Sequence, residues 1–253
     1  MKIGDYELDG RRTYIVAEIG TCWAALNPER RLSSLWFHCE QAACIGADAV
    51  KVQMFIPDEP LFCPMEGDDE RWPRWRNAFV AFEHWRKLKW ECEAKWNVTL
   101  LASAFQPTAV EWLKELNVAA YKVASRAAAT YPYDKVPGPF LVSTGQGIVV
   151  PNSVILHKKL VFLHCVPEYP TPLHKARWPR WPGPGDGRPR SGFSDHSGTV
   201  WPGLDAISRG CPLLEVHFAI GEFEGPDRAV SLNAEQLKLL CEHRDAVAQM
   251  RPH

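Results

Sequence analysis

Eight short apolar runs, each broken near its carboxyl end by a polar or charged side chain, constrain this chain more than any other feature. They are Tyr14–Glu18, Ala49–Gln53, Thr99–Ser103, Ala119–Ala124, Phe140–Ser143, Leu160–Cys165, Gly192–Ser194 and Leu213–His217. Between several of them apolar residues recur at helical spacing: Pro28–Ile45, stopped by Gly46; about Asn77–Trp96; Pro107–Leu116; Val200–Arg209; and Leu232–Met250 after Ser231 as N-cap. Strands alternating with helices predict an α/β fold, here a (β/α)8 TIM barrel. Such a barrel typically takes about 250 residues, so residues 1–253 read as a single domain. Some helices are shortened or lost, because Ala127–Pro139, Gln146–Lys159 and Pro170–Arg190 are too short or too rich in Pro and Gly. Ile56–Arg76 reads as a long loop. Ile3–Arg12 alternates around Asp9-Gly10, which predicts an N-terminal hairpin (residues 1–12) that plugs one barrel end.

The net charge of −1 supplies no field for nucleic acid or a membrane surface. No apolar run reaches the roughly 20 residues that span a bilayer. The eight cysteines form no CxxC pair, and several fall inside apolar runs, which predicts reduced core thiols. With no apolar signal-peptide core at Met1–Asp5, the expected location is the cytoplasm.

A parallel strand buried on both faces should be apolar throughout. The exceptions here are Glu18, Lys51, Gln53, Ser103, Lys122, Ser125, Ser143, His164, Ser194, Asp195, His196 and His217. Unpaired charges are almost never fully buried, so this many at one barrel end require a solvated pocket or a charged ligand. Two lysines with several hydroxyls point to a phosphate or carboxylate. His196 and His217 stand 21 residues apart across one strand–helix–strand unit, so both emerge at neighbouring strand ends. With Glu18 and Asp227 they point to a divalent cation. The competing readings are buried hydrogen-bonded histidines, an internal Glu18–lysine ion pair, serines that cap helices, and an Asp195 that orients a histidine or caps a turn.

In order along the chain stand Ala17-Glu18-Ile19-Gly20, Gly46–Gln53, Ala119–Ser125, Ser143-Thr144-Gly145, Leu163–Val166, Tyr169-Pro170-Thr171-Pro172, Ser194-Asp195-His196, His217-Phe218 and Gly225-Pro226-Asp227. Together they resemble the barrel domain of the sialic acid (N-acetylneuraminate) synthase family, from about Thr13 to Leu240. The resemblance implies a TIM barrel that condenses phosphoenolpyruvate with a sugar aldehyde, an aldose acceptor, to give a 2-keto-3-deoxy acid and phosphate. It implies a divalent metal, most often Mn2+ with Mg2+ or Co2+ as alternatives, held by His196 and His217. It implies phosphoenolpyruvate gripped by Lys51, Ser103, Lys122, Ser125, Ser143 and Ser194. Glu18, Gln53 and Asp227 then line the reacting centre, and Phe105 and Tyr169 contact substrate.

The chain also departs from the family. Thr21-Cys22-Trp23 replaces an Asn-His, Arg126-Ala127 replaces a Gly-Glu, and Pro167-Glu168 stands where an Asn is usual. The family's C-terminal antifreeze-like domain has no counterpart in these residues. A retained phosphoenolpyruvate side with a rebuilt sugar side is expected, with Arg126 as a new cation for an acidic or phosphorylated acceptor. Eroded helices should leave apolar surface for a second copy, hence a homodimer. Two alternatives stay open: a Schiff-base aldolase using Lys122, and a non-catalytic binding barrel whose partner surface is Arg71–Arg76 and Arg177–Trp181.

Overall fold

In the computed structural model, residues 1–25, 27–145, 150–155, 159–178, 181, 190–221 and 227–251 are described. The chain opens on an antiparallel hairpin, β1 (Lys2–Ile3) and β2 (Tyr6–Glu7). Its turn is Gly4-Asp5 and not the expected Asp9-Gly10, because Gly4 takes the left-handed conformation the tight turn needs (φ 57°). Eight strands follow: β3 (Tyr14–Gly20), β4 (Ala49–Met54), β5 (Thr99–Ala104), β6 (Tyr121–Val123), β7 (Phe140–Ser143), β8 (Leu160–His164), β9 (Arg190–Asp195) and β10 (Leu213–Phe218). All pair in parallel in chain order, and β10 pairs with both β9 and β3. The sheet is therefore a closed barrel, as the eight apolar runs predict.

Side chains alternate across a strand, so residues of one parity share the barrel interior. Tyr14, Val16, Ala49, Leu101, Ala120, Leu141, Val161, Leu163 and Leu213 form a buried interior cluster, joined by Ile3 and Leu8 of the N-terminal segment. Two residues further along these strands, the same parity delivers polar groups. Register aligns His217 with Glu18 and Glu18 with Lys51, Gln53 with Ser103 and Ser103 with Lys122, and Glu215 with Ser194. An apolar floor thus lies below a polar ring. Gly192 belongs to the floor, where a Cβ would meet the Leu213 carbonyl oxygen at 2.4 Å.

Helix α1 (Pro28–Ile45) has the expected limits, with Asn27 accepting from the Glu29 amide at its start and Gly46 left-handed at its end. Between β4 and β5 the structure departs from expectation. Asp68–Asn77, inside the expected loop but for its last residue, is helix α2, and the expected helix over 77–96 divides into α3 (Phe82–Trp90) and a π-turn at Glu91–Lys95. The first turn of α2 is acidic (Asp68, Asp69, Glu70) and its last basic (Arg74, Arg76), which suits the helix dipole, while Trp75 is buried as an anchor. These effects outweigh the missing amide of Pro73. After β5 comes α4 (Pro107–Glu115). Among the described residues, the interval after β6 holds only two short 3-10 turns, that after β7 one turn, α5 (Asn152–Ile155), and that after β8 a 3-10 turn at Leu173–Lys175. Helix α6 (Trp201–Ser208) follows β9. Ser231–Leu232 is not a helix start but a short strand, β11, on β10. Helix α7 (Ala234–Met250) begins with a reciprocal capping box of Asn233 and Gln236. Among the described residues no helix is long and apolar enough to cross a membrane.

Candidate active site

The polar ring and the loops beyond it enclose a cavity of about 370 Å³ at the carboxyl ends of the strands. Glu18, Lys51, Gln53, Ser103, Phe105, Lys122, Ser125, Arg126, Ser143, Tyr169, Ser194, His196, His217 and Asp227 all line it. The residues expected to hold substrate or metal therefore meet at one place, whereas His164 and Asp195, of the opposite parity on their strands, do not line it. The sites of barrel enzymes lie at this end because loops there surround residues held rigid by the strands.

At the centre is a carboxylate absent from the expected set. Glu215 lies on β10 with the same parity as Leu213 and His217, and so faces the interior. Its Oε2 lies 3.5 Å from Lys51 Nζ, its Oε1 3.6 Å from Lys122 Nζ, and Ser194 donates to Oε1 at 2.9 Å. Lys51 also pairs with Glu18 Oε2 at 2.7 Å, and Gln53 donates to Glu18 Oε1 at 3.1 Å. Lys122 donates to Ser143 Oγ at 2.8 Å. The internal Glu18–lysine pair and the open cavity coexist. Burial pushes the Glu215 carboxyl up, but Lys122 and Lys51 overcome it and hold the group at about 2. Burial pulls the Lys51 ammonium down, and Glu18 and Glu215 reverse this into a net rise. Lys122, also desolvated, has Glu215 to support it and Lys51 to repel it, and its pKa is lowered. Four alternating charges are thus fixed with no water required between them, while Ser103 Oγ, buried in the same ring, has no hydrogen-bond partner among the described residues.

Across the cavity the rings of His196 and His217 stand 5.5 Å apart at 66°. The Val166 carbonyl meets His196 Nδ1 at 2.9 Å. A carbonyl only accepts, so Nδ1 carries the proton and Nε2 presents a lone pair. Tyr169 stacks on this ring at 4.3 Å and donates its hydroxyl to Nε2 at 3.0 Å. Desolvation and the neighbouring His217 lower the His196 pKa to about 3, so it is neutral at ordinary pH. His217 Nδ1 is buried without a hydrogen-bond partner among the described residues. Neutral, oriented imidazole is the form that ligates a divalent ion, so the pair fits one. No group of three or more His, Cys, Asp or Glu among the described residues is gathered as a complete cage.

The remaining expected residues have other settings. Ser125 donates to the Gly145 carbonyl at 2.7 Å. Asp195 is turned away from the cavity and accepts from the amide and hydroxyl of Ser197, a local turn, while burial raises its carboxyl to about 6. Arg126 is not a free cation: it pairs with Asp68 at 2.5 and 3.0 Å, donates to the Cys63 carbonyl at 2.7 Å, and lies 5.5 Å over the Trp75 ring. It pins α2 to the barrel. Phe105 stacks on Phe55 and Phe55 on Trp75, each at 4.9 Å, which forms one wall. Trp23 is buried and donates to the Gly20 carbonyl, and Glu168 pairs with Lys175 outside the cavity. Of the Arg177–Trp181 segment, Trp178 packs on Trp181 and Phe193, and residues 179–180 lie outside the described set, as do Gly225 and Pro226. Arg71, Arg74 and Trp75 of α2 also line the cavity, as does Cys165. Parity with His217 would have found Glu215; nothing local in the sequence brings α2 over the strand ends.

The model of the NeuB family matches residues 38–252. The N,N'-diacetyllegionaminic acid synthase of Campylobacter jejuni is 26% identical over 256 residues, covering 91% of this chain and 75% of that protein. A pseudaminic acid synthase of the same species is 27% identical over 281 residues, covering 98% and 76%. The solved structure of N-acetylneuraminic acid (sialic acid) synthetase from Leptospira borgpetersenii, in complex with citrate, shares the fold with a TM-score of 0.80 at 19% identity, over 100% of this chain and 90% of that one. The family match spans most of the sequence and includes β4 to α7, and with them Lys51, Lys122, Glu215 and both histidines: the chain belongs to the NeuB family.

Proposed function

We propose that this barrel condenses phosphoenolpyruvate with a sugar aldehyde and releases phosphate and a 2-keto-3-deoxy sugar acid. The observation that carries the reading is the buried Lys51–Glu215–Lys122 cluster with its hydroxyls, beside the imidazoles of His196 and His217 in one cavity. Relatives that are sugar-acid synthases support it. Lys122, Ser143, Ser125, Ser103, Ser194 and Lys51 form the anion cradle, in which the unpartnered Ser103 hydroxyl gains an acceptor. Glu18, Gln53 and Asp227 line the space next to it, where a carboxylate can take a proton from the water that adds during the reaction. The Phe105–Phe55–Trp75 wall excludes bulk water from one side.

His196 and His217 would hold a divalent ion, with His196 exchanging the Tyr169 hydroxyl for it; such an ion supplies Lewis-acid polarisation of the aldehyde. The test is phosphate release from phosphoenolpyruvate over a panel of aldoses, with Mn2+ and with a chelator. Aldose-dependent release that Lys122→Ala lowers about 100-fold or more supports the reading; no release with any aldose counts against it. A second reading rests on the lowered pKa of buried Lys122, which favours a nucleophilic amine. Borohydride trapping of a pyruvate adduct on Lys122 would support that reading instead.

A further inference from the structure

Every cation at this site has a carboxylate except one. Lys51 has Glu18, Lys122 has Glu215, and Arg126 has Asp68, which Arg71 also reaches at 3.3 Å. Arg74 lines the cavity half-buried, its Nε is shut off from solvent, and among the described residues it has no hydrogen bond or ion pair. Burial pulls its pKa down, Asp227 acts through space in the opposite sense without an ion pair, and Arg71 adds repulsion, so the net effect is a lowered pKa. Its position is built: Arg126 clamps Asp68 at the start of α2, and Trp75, the next residue, is locked in the ring stack. Arg71 and Arg74 are three residues apart on a helix and so share a face. The helix lies beyond the strand ends, whereas the lysines project from within the strands. A guanidinium held at such a mouth with no carboxylate in contact implies an anion that arrives with a ligand.

We infer that Arg74, assisted by Arg71, binds an oxyanion, phosphate or carboxylate, carried by the sugar acceptor away from its aldehyde carbon. The inference rests on the proposed condensation only for the identity of the ligand as an acceptor. It assigns the rebuilt sugar side to α2 and moves the acceptor's cation from Arg126 to Arg74.

The experiment is direct binding, by calorimetry, of three sugars that differ only at carbon 6: mannose, mannuronate and mannose 6-phosphate. Each is titrated into the full chain and its R74A, R74K and R71A variants, with phosphoenolpyruvate titrated separately. One of the two anions should bind about tenfold or more tightly than mannose, as one charge-assisted contact provides. R74A should erase that preference, R74K should restore part of it, and R71A should weaken it less. Affinity for phosphoenolpyruvate should stay within about twofold in R74A. The preferred anion tells phosphate from carboxylate. Equal binding of the three sugars, an anion preference that survives R74A, or a loss of phosphoenolpyruvate affinity in R74A would each overturn the inference. Because no turnover is measured, these outcomes are separate from absent phosphate release, which would instead sink the condensation reading.

Discussion

Lys122 Nζ and Glu215 Oε1 face each other at 3.6 Å inside the barrel, both side chains nearly fully buried. Such a pair contributes little over an apolar one, but breaking it leaves an uncompensated charge. Glu215→Gln keeps the shape and removes the charge that both lysines share. The variant should lose about 3 kcal/mol of stability in urea unfolding. Added inorganic phosphate should restore more stability to the variant than to the parent, because the anion takes over the missing charge. An unchanged midpoint would show that the lysines do not depend on Glu215.

The two imidazoles offer a cation few protein nitrogens, since no third His or Cys is gathered with them among the described residues. His217→Ala should therefore abolish Mn2+ binding, read by elemental analysis after gel filtration, and His196→Ala should do the same. Tyr169→Phe removes only the hydroxyl that occupies His196 Nε2 and should retain the metal. Equal metal content in all three variants would argue against this pair as the site.

Asp68 and Arg126 make the attachment of α2 dependent on pH. Burial raises the Asp68 carboxyl, but hydrogen bonds from Arg126 and from the Met65 amide outweigh it and hold the group below the usual range. Its unfolded value is about 4. A depressed folded pKa contributes stability that is present above the unfolded pKa and lost as pH falls through the folded one. Acidification below about pH 4 should thus loosen α2, seen as a change in tryptophan emission from Trp75 before global unfolding. Asp68→Asn should show the loosened signal at neutral pH already and lose this acid step.

Gly192 shows what the floor of the barrel tolerates. Gly192→Ala would place a methyl 2.4 Å from a backbone oxygen and 2.7 Å from Leu163 Cδ2. Backbone cannot yield as a flexible side-chain tip does, so the expected cost is about 1–3 kcal/mol, measured by thermal unfolding. Gly221→Ala meets no atom within 4 Å, but its φ of 83° carries its own strain and makes it a control for backbone effects alone.

Much of the site was legible because a strand has a period of two. Once a run such as Ala49–Gln53 is read as a buried strand, Lys51 and Gln53 must share a face, and all eight strands obey the same rule. That rule applied to Leu213 and His217 also reaches Glu215, whose charge is hidden in sequence by its apolar neighbours. The start of α7 is decided locally: Asn233 with Gln236 outcompetes Ser231 as a helix start because two reciprocal hydrogen bonds exceed one.

Sequence alone determined the number of barrel strands, their order, and the polar residues at one barrel end, since all of these follow from the alternation of apolar and polar side chains. Tertiary structure decided which charges compensate one another. Arg126 reads as free until Asp68 meets it 58 residues away in the chain, and Arg74 reads as one of several loop arginines until α2 places it over the cavity with no carboxylate of its own. Periodicity reports which face a side chain occupies; electrostatics depends on distances between elements, and those exist only once the chain has folded.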